Sequence, residues 1–255
     1  MNNAAADAPT ADGRGLLASL LPPHVAAVES FGTGLWDSPG ALFPEEARLM
    51  AAAGAKRRQE FTAVRECARR ALRSLGEPPV PLLPGPRGAP EWPPGIVGAM
   101  THCNGYQAAA VARVDHGLVS VGIDAEPHAE LPPYVRELVV GNREAEQLRE
   151  LAGRWPSVHW GRVLFSAKET VFKAWYPLAR SELDFLQAEV SLWPDSEDGR
   201  KGGFRADLLR SGPVVEISGK WGVTCATIAT AAAIDTITGD GPALPEPALP
   251  TSTLN

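Results

Sequence analysis

Two short stretches of this 255-residue sequence hold side chains suited to ionic chemistry. In Leu118-Val119-Ser120-Val121-Gly122-Ile123-Asp124-Ala125-Glu126, strand alternation puts Val119, Val121 and Ile123 on one face and Ser120, Gly122 and Asp124 on the other. Extended geometry continued to Glu126 brings a second carboxylate to the Asp124 side, where Pro127 ends the ladder. Such a pair can hold Mg²⁺, which usually takes one or two protein carboxylates and completes its shell with water and substrate phosphates. Gly122 would also let a ligand approach the backbone closely. A strand that ends in solvated acidic residues has the same D-x-E pattern, so the pair does not decide between the two.

The second stretch, Phe165-Ser166-Ala167-Lys168-Glu169-Thr170-Val171-Phe172-Lys173-Ala174-Trp175-Tyr176, reads as a helix. Ser166 stands three residues before Glu169, a capping-box spacing, and Glu169 stands four before Lys173, the order of an ordinary surface ion pair. Structure alone could account for both. The chemical alternative makes Glu169 a third metal ligand or a general base, with Lys168 and Lys173 neutralising a diphosphate.

These stretches need elements to position them. Pro44-Glu45-Glu46 opens a helix that breaks near Gly54. From Lys56 a second amphipathic helix buries Phe61, Val64, Ala68, Ala71, Leu72 and Leu75 and stops at Gly76, with Arg57, Arg58, Arg65, Arg69 and Arg70 on its polar side. That charge run is also what a solvated helix face looks like. Residues 77–97 contain eight prolines and form a loop. Residues 107–114 and 118–123 read as strands joined in a hairpin at Asp115-His116-Gly117. Beyond them, 142–151 and 166–176 read as helices and 189–193, 214–219, 221–227 and 229–234 as strands. Helices followed by hairpin strands, twice over, imply an α+β fold.

Composition narrows the classes. An apolar share of 44% suits a globular protein with a sizeable core, and a net charge of −6 argues against a general nucleic-acid binder. Cys67, Cys103 and Cys225 are too scattered for a disulfide framework or a zinc site. There is no signal-peptide pattern and no apolar run of membrane-spanning length, so a cytoplasmic protein without membrane attachment is expected. Residues 1–14 and 239–255 read as disordered tails. Trp92 and Trp175 read as packing residues, and Gly32-Thr33-Gly34 lacks the rest of a dinucleotide fingerprint.

Val121-Gly122-Ile123-Asp124-Ala125-Glu126, followed some forty residues later by Phe165-Ser166-Ala167-Lys168-Glu169 and Lys173, resembles the two signature motifs of the 4′-phosphopantetheinyl transferase superfamily. The resemblance extends to Lys56-Arg57-Arg58-Gln59-Glu60-Phe61 with Arg65, to Arg87-Gly88-Ala89-Pro90 and to Thr101-His102-Cys103-Asn104-Gly105-Tyr106. The last segment and Lys173-Ala174-Trp175-Tyr176-Pro177 are similar to the monomeric enterobactin/surfactin-type branch.

The resemblance implies two similar α+β halves about a pseudo-twofold axis, taken here as residues 15–117 and 118–238, with coenzyme A and Mg²⁺ (or Mn²⁺) between them. It implies a metal site of Asp124, Glu126 and Glu169. For coenzyme A it implies Arg57 or Arg58, Arg65, Arg87, Thr101 and His102, together with Asp124, Lys168 and Lys173. Arg87 stands where a lysine is common, and arginine keeps the charge. The implied reaction moves phosphopantetheine from coenzyme A to a serine of an apo acyl or peptidyl carrier protein, with Glu169, Lys173 and Asp124 as catalytic groups. A Mg²⁺-dependent phosphohydrolase and a non-catalytic coenzyme A or carrier-binding module are the alternatives.

Overall fold

A computed structural model describes residues 15–32 and 42–236. Both expected tails and most of Gly32-Thr33-Gly34 lie outside the described residues. Helix α1 (Leu16–Leu20) and strand β1 (Ala26–Phe31) precede helices α2 (Pro44–Leu49) and α3 (Ala55–Ser74). Strands β2 (Ile96–Cys103), β3 (Tyr106–Arg113) and β4 (Leu118–Pro127) come next, then helices α4 (Pro133–Val139), α5 (Asn142–Arg154) and α6 (Trp160–Ala179). Strands β5 (Ala188–Pro194), β6 (Lys201–Leu208), β7 (Glu216–Val223) and β8 (Thr227–Asp235) complete the α+β fold.

Helix α3 forms where the arginine-rich amphipathic pattern predicts it. Phe61, Val64, Ala68, Ala71 and Leu72 are buried, the last three in a cluster with Ala109 and Val111 of β3, and the chain leaves the helix through Gly76 at φ +81°, a left-handed conformation that suits glycine. The proline-rich segment behind it is folded. Pro84 and Pro90 form an isolated bridge, and Leu82 donates its amide to the buried Glu46 carboxylate.

All strand pairs are antiparallel, in a three-stranded sheet of order β1-β3-β2 and a five-stranded sheet of order β4-β8-β7-β6-β5. The hairpin expected over 107–123 is not formed. β3 has both edges taken by β1 and β2, so the turn at Gly117 (φ +85°) passes the chain to β4, which pairs with β8. The first sheet's hairpin is β2–β3, turned at Asn104-Gly105. β2 and β4 lie side by side without a backbone ladder, joined instead through Thr101, whose Oγ1 accepts from the Ala125 amide at 3.1 Å.

β4 is buried on both faces. Val121, Ile123 and Ala125 pack into an apolar cluster with α1, β2 and β3. The opposite face receives α6, whose Val163, Leu164, Ala167, Val171 and Trp175 fill the core over the larger sheet. Each fully buried valine or leucine among them contributes about 1.5–3 kcal/mol. No helix among the described residues is long and apolar enough to cross a membrane.

Gly122 sets how closely α6 lies on β4: a Cβ there would stand 2.2 Å from Thr170 O and 2.9 Å from Ala174 N. The space by Gly122 is therefore filled by the helix, not open to a ligand. Gly122→Ala should cost about 1–3 kcal/mol in urea unfolding. Gly153→Ala, whose Cβ would meet nothing within 4 Å, should be neutral or stabilising. Equal stabilities for the two variants would contradict this close approach.

Candidate active site

The site is a register match between α6 and β4. Arg162, Ser166, Glu169 and Lys173 are spaced four, three and four apart and form one stripe of the helix, while Ser120, Gly122, Asp124 and Glu126 form one face of the strand. Four helical residues rise about 6.0 Å and two strand residues about 6.6 Å, so the two ladders stay in step over this length. Arg162 Nη1 donates to Glu126 Oε2 at 2.9 Å, Ser166 Oγ to Asp124 Oδ2 at 2.8 Å, and Ser120 Oγ to Ala174 O at 2.7 Å. Lys173, leaning back toward the helix N-terminus, donates Nζ to Asp124 Oδ1 at 2.7 Å.

These contacts exclude the two structural readings of the helix, the capping box and the Glu169–Lys173 surface pair. α6 begins at Trp160 with His159 as N-cap, so Ser166 lies mid-helix and caps nothing. Its hydroxyl is spent on Asp124 and on a buried relay with Thr230 and Thr170. Lys173 pairs with Asp124 rather than with Glu169.

Asp124 is 4% exposed, and both its oxygens accept hydrogen bonds, Oδ1 also from Thr101 Oγ1 at 3.2 Å. Burial and the Asp124 charge push Glu126 up to about 7, against the opposing pull of Arg162. The same two causes raise Glu169, with Lys173 opposing. Among the described residues no three His, Cys, Asp or Glu side chains converge into a ready-made metal cage. The donor set nevertheless suits a hard divalent cation. Asp124 lies near enough to Glu126 on β4 and to Glu169 on α6 for its charge to raise both, and Mg²⁺ needs only one or two carboxylates.

The other expected site residues divide into two groups. His102, next to Thr101 on β2, lies 3.3 Å from Arg57 Nη1 and 3.6 Å from Glu60. Partial burial holds its pKa down, and the Lys173 and Asp124 charges both act on it. Arg87, at φ +59° in the turn Pro86–Gly88, rims a cavity of about 580 Å³ and pairs with Glu182. The proline loop, β2 and α6 enclose that cavity, and Glu169, Phe172, Lys173 and Tyr176 open into it.

Lys168, expected at the phosphates, is not there. It is 3% exposed, and its three N–H bonds go to Glu144, Val139 O and Phe185 O at 2.7–2.8 Å. It ties α6 to α5 and to the turn before β5. Arg65 is also turned inward, donating Nε to Leu82 O and lying over the Phe61 ring, and burial lowers its pKa to about 10. Arg58 folds back onto Ala53 O, so Arg57 is the one beside His102. Thr101 is buried and holds Asp124. Trp175 is wholly buried, as a packing residue should be, while Trp92 lines the cavity and donates to Gly98 O.

Residues 45–112 match a family model described as the 4′-phosphopantetheinyl transferase N-terminal domain, and residues 120–212 one described as the 4′-phosphopantetheinyl transferase superfamily. The chain is 49% identical over 225 residues to 4′-phosphopantetheinyl transferase Svp of Streptomyces mobaraensis, covering 86% of this chain and 89% of the relative. The chain belongs to the 4′-phosphopantetheinyl transferase superfamily. It is also 42% identical over 224 residues to 4′-phosphopantetheinyl transferase PptT of Mycobacterium tuberculosis, covering 85% of this chain and 96% of the relative. Enterobactin synthase component D of Escherichia coli matches at 31% over 144 residues, 55% of this chain and 65% of the relative. In this superfamily member the carboxylate seam lies within the second family match, and Arg57, Thr101 and His102 lie within the first.

Glu126 yields a pH test. A carboxyl raised from 4.5 to about 7 favours the folded protein when protonated. That contribution is complete below its unfolded range and is lost as the pH climbs through about 7. In thermal melts with chelator, Glu126→Gln should therefore gain on the wild type between pH 5 and pH 8. A difference independent of pH would contradict the assignment.

Proposed function

We propose that this chain transfers the 4′-phosphopantetheine group of coenzyme A to a serine of an apo acyl or peptidyl carrier protein, releasing adenosine 3′,5′-bisphosphate. The observation that carries this reading is the pair of buried Asp124 with Lys173, which opens together with Glu169 into a cavity and is flanked across the sheet junction by Arg57 and His102. Kinship with transferases identical at 42–49% over most of the chain supports it.

In the proposed reaction the serine Oγ forms a bond to the β-phosphorus and the bond from that phosphorus to the adenosine bisphosphate oxygen breaks. Glu169, raised toward neutrality and facing the cavity, receives the serine proton directly or through water. Lys173 meets the diphosphate while keeping Asp124 oriented, Arg57 and Arg87 supply further positive charge for the nucleotide phosphates, and the neutral His102 ring supplies a hydrogen bond. Asp124, Glu126 and Glu169 would hold Mg²⁺ or Mn²⁺, which supplies neutralisation of the diphosphate charge. The apolar part of the cavity lining, with Trp92, Met100, Phe172 and Tyr176, suits the pantetheine arm.

For the carrier, the proposal places docking on α4. Of the apolar residues in 131–140, Leu131 and Val139 are buried, whereas Tyr134 is 69% and Leu138 67% exposed, near the exposed Leu186. The proposed working unit is a single chain, which contributes every residue of the site.

Intact-mass measurement of an apo carrier after incubation with coenzyme A and Mg²⁺ tests the reading. The wild type should add one phosphopantetheine, Asp124→Asn should add none, and Lys173→Ala should lose about 10²–10³ in rate. Consumption of coenzyme A without a carrier would favour the phosphohydrolase, and wild-type transfer by Asp124→Asn would sink the site assignment.

A further inference from the structure

Arg162 lies outside both motifs, and it completes the seam at the strand end. Its Nη1 donates to Glu126 Oε2 at 2.9 Å, Nη2 to Glu130 O at 2.6 Å, and Nε to Ala129 O at 3.3 Å. All three guanidinium nitrogens are thus committed to the chain at and just after the end of β4. The Arg162 and Glu126 side chains are only 15% and 20% exposed, so this is not a loose surface pair of the kind that contributes little. A planar guanidinium fixes the directions of its donors. With Oε2 held by Arg162 from the helix side, the Glu126 carboxylate cannot rotate freely, and Oε1 remains for another partner. The two backbone contacts keep Ala129 and Glu130 against the first turn of α6, so the carboxylate and the chain that carries it are fixed together.

We propose that Arg162 is a positioning residue of the transfer reaction: it orients Glu126 so that one carboxylate oxygen stays available to the divalent cation beside Asp124. This rests on the reading of Glu126 as a metal ligand. A lysine at this position keeps the charge but not the three directed contacts, and a methionine keeps the stem alone.

The test is Mn²⁺ titration of the full-length protein with coenzyme A and no carrier, following the free-ion signal by electron paramagnetic resonance. Arg162→Met should weaken Mn²⁺ binding about tenfold or more and Arg162→Lys by a smaller factor. In carrier modification the KM for Mg²⁺ should rise in parallel while kcat at saturating Mg²⁺ changes little. Unaltered Mn²⁺ affinity in Arg162→Met overturns the proposal if Glu126→Gln does weaken binding, and a lowered melting temperature alone would then mark a structural ion pair. If Glu126→Gln also binds Mn²⁺ normally, the metal reading of Glu126 fails first. Should Arg162→Met not fold, the same titration of Arg162→Lys decides, with unchanged affinity again the contrary result.

Discussion

Helix α6 lies so close to strand β4 that a methyl group at position 122 would run into the Thr170 carbonyl, and the arrangement of charged groups follows from that closeness. With no side chain between them, the short Ser120 and Ser166 hydroxyls span the gap, one to a helix carbonyl and one to Asp124. A longer separation would leave Asp124 buried with fewer donors, a costly state for a carboxylate. The strand's period of two and the helix's period of three to four then repeat the contact at Glu126 and Lys173.

The seam leaves its charges incompletely balanced. Asp124 is satisfied by Lys173, Thr101 and Ser166, whereas Glu126 and Glu169 are both held toward protonation by burial and by Asp124. Such a cluster favours an incoming cation, and Glu126, raised to about 7, accepts a proton near neutral pH, two properties that phosphoryl-group transfer uses. The surrounding protein keeps the arrangement stiff. The relay of Ser166, Thr230 and Thr170 satisfies the hydroxyls beneath Asp124, and the buried Lys168–Glu144 pair anchors the same helix turn on its other side.

Much of this was legible in the sequence. Alternation from Val119 to Glu126 placed both carboxylates on one face, and the structure turns that face toward α6. The spacing of the helix also held the information that Lys168 points elsewhere, because it lies about 100° around the axis from Glu169 and outside the stripe of Arg162, Ser166, Glu169 and Lys173. The family resemblance points the other way. The capping-box reading failed because the apolar repeat, followed back through Val163 and Leu164, starts the helix at Trp160. β6 is hard to read from the sequence because Gly202-Gly203 resembles a turn, although both glycines serve close packing against Trp193. Thr230 carried no local signal at all, since its role depends on strand pairing across more than a hundred residues.

The most direct test of this account is a crystal structure with coenzyme A and Mg²⁺ bound. It should show the diphosphate and the ion against Asp124, Glu126 and Glu169, with Lys173 reaching a phosphate oxygen and the Ser166 and Ser120 contacts between α6 and β4 unchanged. A diphosphate seated away from this seam, or Lys168 released from Glu144 to meet it, would contradict the account.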